Sequence, residues 1–193
     1  MAMIGGIAQT QRAAIRLQLD GLWSVQHLSR ILSQLVNAYD SAVALHYLGT
    51  EEFLSSKEVL AWIPPSDSKE SDHLSSMVFS MTNMALNGIR LRAGLSGMPL
   101  QVHKIQLASP GTLEAVGLLD PLRTVFGFVF DLRNHNIRRE HQQMSGTREL
   151  LDRIPEPIKE HYASVLLDDI ECEVVAIARD QRVREIDVAA TEQ

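Results

Sequence analysis

Between Ala14 and Leu19 the chain alternates, with Ile15, Leu17 and Leu19 on one side and Arg16 and Gln18 on the other, which predicts a half-buried strand. Asp20-Gly21 turns the chain, and Ser24 is placed to cap a helix whose seam is Val25, Leu28, Leu32, Leu35, Tyr39, Ala42 and His46. Spacings of three and four alternate along that seam. Ile31, Val36, Ala38, Val43 and Leu45 widen the apolar arc beyond one stripe, so this helix is expected to meet protein on more than one side.

Gly49 marks the helix end, and Thr50-Glu51-Glu52 opens a short helix running toward Trp62, stopped by Pro64-Pro65. Ser66 to Asp72 reads as an exposed loop. From about Ser71 to Arg92 a second long helix follows, carrying Leu74, Met77, Val78, Met81, Met84, Ala85, Gly88 and Leu91, with Gly94, Gly97 and Pro99 expected to end it.

Leu100 to Leu107 and Thr112 to Gly117 read as two strands joined through Ser109-Pro110-Gly111. In the first of them the alternation changes phase between Val102 and Ile105, which predicts a bulge or burial on both faces. Pro110, with its fixed negative φ, excludes a tight type I′ or II′ hairpin turn, so a wider connection is expected. Asp120 as cap and Pro121 at the first helical position open a helix with Leu122, Val125, Phe126, Val129 and Leu132 inward. A short helix to Ile154 is broken by Pro155 and Pro157. Ile158, Tyr162, Val165, Leu166, Ile170, Val174 and Ile177 then draw an amphipathic helix, and Arg182 to Val188 alternates as an edge strand.

This order predicts an α+β fold, with a small antiparallel or mixed sheet of about four strands packed with several long helices. A ferredoxin-like plait with inserted helices is one way to draw it. Residues 1–193 read as one domain, with 147–193 as a candidate helical extension bearing an edge strand. A length of 193 residues suits that reading, and 45% hydrophobic with 22% charged residues is the balance of a globular chain.

A net charge of -6 offers no overall attraction to nucleic acid or anionic membrane. The one cysteine, Cys172, excludes an internal disulfide or a multi-cysteine zinc site. No stretch is apolar for the roughly 20 residues that a bilayer requires. With no basic leader at Met1, the expectation is a cytoplasmic protein, no membrane and no cofactor.

The densest polar cluster is Arg133, His135, Arg138, Arg139 and His141. His135 and His141 lie about 240° apart around a helix, which excludes a shared ion, and no metal site is expected. The order of Arg, polar residue and His resembles that of HEPN-type endonucleases, but seven residues separate Arg133 from His141, more than that pattern allows. The cluster is a candidate phosphate-binding patch for RNA, set against a solvated helix end whose cations offset the macrodipole. Asp168, Asp169, Glu171 and Glu173 read as a solvated helix face rather than a magnesium site.

No residue is assigned to catalysis, because Ser109 lacks the nucleophile-elbow pattern and the glycines match no nucleotide-binding loop. The surplus of apolar positions on the two long helices points instead to a protein partner or a homo-oligomer. Its candidate surface comprises Leu28, Leu35, Tyr39, Met77, Met81 and Met84. The leading expectation is a non-enzymatic interaction or assembly module. The alternative is a small RNA-binding or RNA-cleaving protein using the cluster at 133–141.

Overall fold

The computed structural model describes residues 11–54, 72–96, 98–107, 110–133 and 144–190. Strand β1 (Arg12–Leu19) leads to helix α1 (Val25–Leu48) and a one-turn helix α2 (Glu51–Leu54). Helix α3 (Asp72–Ser96) precedes strands β2 (Gln101–Gln106) and β3 (Gly111–Leu118). Helices α4 (Leu119–Arg133), α5 (Met144–Arg153) and α6 (Glu156–Ile158) follow. A π turn (Lys159–Ala163) then runs into α7 (Ser164–Arg179), and β4 (Val183–Ala190) closes the order.

The four strands make one antiparallel sheet in the order β2-β3-β1-β4. Two strand-helix-strand halves are thereby interleaved, which is the topology of a plait. β1 shows why the sheet has one covered face: Ala13, Ile15, Leu17 and Leu19 are buried while Arg16 and Gln18 are exposed, as a period of two requires. Leu113 and Ala115 of β3 and Val183 and Ile186 of β4 complete that buried face. The bulge expected in β2 lies between Val102 and Lys104, where the register with β3 shifts.

The open face is polar, and its charges alternate across the strands. Asp187 of β4 is paired in register with Arg16 of β1, Arg16 with Glu114 of β3, and Glu114 with Lys104 of β2. Arg16 donates from Nη2 and Nε to one oxygen of Glu114, at 2.9 and 3.1 Å. Opposite charges on neighbouring strands stabilise by roughly 0.2–1 kcal/mol per pair.

Helix α1 is the middle of the helical layer. It begins with the expected cap, Ser24 Oγ accepting from the His27 amide at 3.2 Å. Trp23 before the cap and Leu28 in the first turns both pack on the core, a hydrophobic staple that fixes the entry of the chain. From Ala38 to Leu48 nearly every side chain is buried, because α1 lies against α3, α4 and α7 as well as the sheet. Apart from Val25, which is exposed, the broad apolar arc read from the sequence is thus answered within the chain.

Three local expectations are corrected. Gly49 caps α1 with φ -86, so no left-handed residue is used; its need for glycine is space, since a Cβ there would lie 2.9 Å from Leu150 Cδ1. Gly94 does not end α3, which continues to Ser96; only empty space surrounds it, so its cost is one of propensity. Leu119 already belongs to α4, placing Asp120 in the first turn rather than at the cap.

The π turn departs from the single amphipathic helix expected from Ile158 to Ile177. Ile158, Tyr162, Leu166, Ile170 and Val174 recur every four residues, and each such step overshoots a full α-helical turn by about 40°. The wider turn at Lys159–Ala163 offsets that drift, and all five side chains are buried. The C-terminal part is integral to the fold: β4 pairs along β1 as an edge strand, and α7 packs along α1.

Candidate interaction surface

Helix α3 has two apolar faces. Ala85, Leu86, Ile89 and Ala93 are buried and face α1. On the other side Met84, Leu91 and Leu95 are 73%, 66% and 80% exposed. With half-buried Gly88 these positions are spaced four, three and four residues apart, the repeat that keeps a stripe on one side of a helix. In the sequence the same repeat continues toward the N-terminus at Met81 and Met77, whose side chains lie outside the described residues. Three large apolar side chains in line over about 16 Å of helix differ from scattered exposed residues, which need no explanation.

The helix is held in place by a polar bolt. Arg90 of α3 pairs with Asp169 of α7 and donates to Ser41 Oγ of α1 at 3.3 Å, tying three helices together. Its Nε is buried without a partner among the described residues. Asp40, beside it on α1, has its carboxyl held above the usual range by burial, against the opposing pull of Arg90. Asp169 and Glu173 of the acidic group are therefore engaged with neighbouring helices, Glu173 accepting from Asn37 Nδ2 at 3.0 Å, while Asp168 and Glu171 are exposed.

Strand β2 is the second exposed apolar element. Val102, Ile105 and Leu107 are all about half exposed, at a free sheet edge. Such an edge invites another strand, but the bulge and Lys104 blunt it in the way that native edges are protected. Among the described residues nothing comparable protects Met84, Leu91 and Leu95 on helix α3.

Other regions offer less chemistry. A shallow groove of about 610 Å³ between α1 and α7 is lined by Arg30, Gln34, Asn37 and Glu173 among others. Its charged groups are already satisfied, Arg30 by Asp180 at 3.0 Å and Glu173 by Asn37. Gln34 Oε1 is buried there without a partner among the described residues. The four strands contain no Phe, Tyr or Trp on which a base could stack, and on the open sheet face Arg16 is already paired with Glu114. Among the described residues no three His, Cys, Asp or Glu side chains converge as metal ligands, and no helix is long and apolar enough to cross a membrane.

His46 is a half-buried titratable group with a defined partner. Thr124 Oγ1 donates to the Asp120 carbonyl at 3.2 Å, so it accepts from His46 Nε2–H at 3.0 Å, which fixes the neutral tautomer. Burial lowers the pKa of the imidazole, outweighing the nearby Asp120 carboxylate, which raises it. The unfolded chain therefore takes up a proton first as pH falls below about 6.5, and stability is lost through that window. Denaturant midpoints measured from pH 8 to pH 5 are expected to fall, and to fall less in His46→Gln; equal slopes in the two proteins would refute the assignment.

The six positions read from the sequence as an interaction surface divide sharply. Leu35 and Tyr39 are buried, and Leu28 is half-buried against the core, so these three are corrected from surface to interior. The reason is the central place of α1. Met84 is outward, and the side chains of Met77 and Met81 lie outside the described residues. The sequence pattern places Leu91 on the α3 face without marking it as a site residue, and Gly94, as an expected helix end, hides Leu95. Arg133 ends α4 with its side chain undescribed, and His135, Arg138, Arg139 and His141 fall wholly outside the described residues.

The chain matches no protein-family model, no curated protein and no solved structure. Fold and surface define its class: a plait-type α+β protein with a long helix whose outer face is apolar.

Proposed function

We propose that the protein is an interaction or assembly module that docks a protein partner on the outer face of α3. The observation that supports this reading is the line of Met84, Leu91 and Leu95, exposed on a helix whose opposite face is already packed. Covering such side chains is worth roughly 25 cal/mol per Å² of apolar surface removed from water, which favours association over leaving them solvated.

Leu91→Glu and Leu95→Glu test the reading. Both residues are exposed, so the variants are expected to unfold within about 0.5 kcal/mol of the parent, as surface substitutions do. Both are expected to lose the complexes that the parent chain forms, measured by light scattering and by affinity purification from its own cells. An identical set of associations for parent and variants would overturn the proposal.

A further inference from the structure

Away from α3, at the corner where α1 begins beside the start of β4, we infer an acid-operated latch: neutral His27 holds the guanidinium of Arg182, and protonated His27 expels it. His27 lies in the first turn of α1, and Arg182 lies 155 residues further on, in the turn between α7 and β4. Arg182 Nη1 stands 2.7 Å from His27 Nδ1, and Ser24 Oγ stands 2.8 Å from the same nitrogen. A guanidinium has protons to donate and no lone pair with which to accept, so Nδ1 is the acceptor and the imidazole proton sits on Nε2. Ser24 Oγ–H donates to Nδ1 as well, while its oxygen accepts from the His27 amide at 3.2 Å.

The next proton can therefore go only to Nδ1. There it sets an N–H against an N–H and a cation against a cation at 2.7 Å, and the contact is lost. The helix cap is spared, because Ser24 Oγ has a second lone pair with which to accept from Nδ1–H. The displacement is thus confined to Arg182.

The charges around the corner do not absorb the new one. Arg30 of α1 pairs with Asp180 at 3.0 Å, and the other oxygen of Asp180 accepts from the Arg182 amide at 3.0 Å. Arg184 of β4 pairs with Asp20 at 2.7 Å. Arg179, exposed at the end of α7, is a further cation, and Glu185 lies on the open face of the sheet across from Gln18. Guanidiniums already outnumber carboxylates here, so an imidazolium adds to an excess of positive charge. What the latch guards is the weak end of a strand pair: the Arg182 carbonyl accepts from the Asp20 amide at 2.7 Å, beside the register shift between Gln18 and Leu19 where β1 meets β4.

Amide hydrogen exchange on the full chain tests the latch. The Asp20 amide reports the corner, and the Leu45 amide, in the buried middle of α1, reports global unfolding. An imidazole changes charge between pH 8 and pH 5. Over that range, after correction for intrinsic rates, protection at Asp20 is expected to fall about 10-fold relative to Leu45, as loss of a hydrogen bond to a charged group implies. His27→Asn sets an amide oxygen, which takes up no proton in this range, near the place of Nδ1, and is expected to keep Asp20 protected at both pH values. Arg182→Gln is expected to leave Asp20 weakly protected at both, without a response to acid. His46→Gln is expected to retain the parent's response. Equal relative protection of the parent at pH 8 and pH 5 would overturn the latch. So would a parent-like fall in His27→Asn or in Arg182→Gln, or its disappearance in His46→Gln, since each would place the titrating group elsewhere.

Discussion

Replacing Tyr39 by phenylalanine is expected to cost about 1–3 kcal/mol, although only one oxygen is removed. That oxygen donates to the Met98 carbonyl and accepts from the Leu118 amide, both at 2.8 Å. It thus joins α1 to the end of β3 and to the segment that enters β2. Neither backbone group is replaced by a partner in the variant, and an unmade buried bond costs more than a made one contributes. Burial raises the pKa of the phenol, despite the opposing pull of the Leu118 amide, so it stays protonated and able to donate.

The ring of Tyr39 is also the reason for a glycine on the facing strand. A Cβ at Gly117 would stand 2.7 Å from Cε2 and 2.9 Å from the hydroxyl of Tyr39, and the hydroxyl is pinned by its two hydrogen bonds. Gly117→Ala is therefore expected to destabilise by a similar ~1–3 kcal/mol through overpacking. In a Tyr39→Ala background the same change should cost far less, because the obstacle is gone. Urea midpoints for the four proteins of this cycle measure the coupling; additive costs would show that the contact does not set the need for glycine.

The contrast between these contacts and the strand pattern shows what a sequence can carry. Ile15, Leu17 and Leu19 announce a covered sheet face because the period of a strand is a local property. The phase change after Val102 announces the bulge for the same reason, whereas the run from Ile158 to Ile177 reads as one amphipathic helix and does not announce the π turn. The Tyr39 hydroxyl meets groups 59 and 79 residues away, and His46 meets Thr124 at a separation of 78. No local period reports such meetings.

The candidate surface was half legible for a related reason. Helices α1 and α3 show nearly the same three-four repeat, and an apolar repeat states only that a face must be covered. Whether the chain covers it depends on position in the layer. α1 is flanked by α3, α4, α7 and the sheet, which cover it except for a polar strip through Gln26, Ser29, Ser33, Asn37 and Asp40, whereas α3 packs on α1 and, among the described residues, leaves Met84, Leu91 and Leu95 exposed. Gly94 concealed Leu95 because a glycine that commonly ends a helix here sits within one, on a face with space around it.

The different fates of those two repeats are expected to separate cleanly in mutants. Leu35→Ala in α1 removes a fully buried side chain and should cost about 2–5 kcal/mol, the transfer term plus the cavity it leaves. For a chain of this size that corresponds to a fall in melting temperature of roughly 5–15 °C. The folded fraction should still associate as the parent does, since Leu35 lies inside the protomer. Leu91→Glu in α3 should do the reverse, leaving the melting temperature close to that of the parent while association is lost. Thermal unfolding and light scattering on the same three samples distinguish the cases. If Leu35→Ala spared stability but abolished association, α1 would have to leave the core to meet a partner, and the division of labour between the two helices would be wrong.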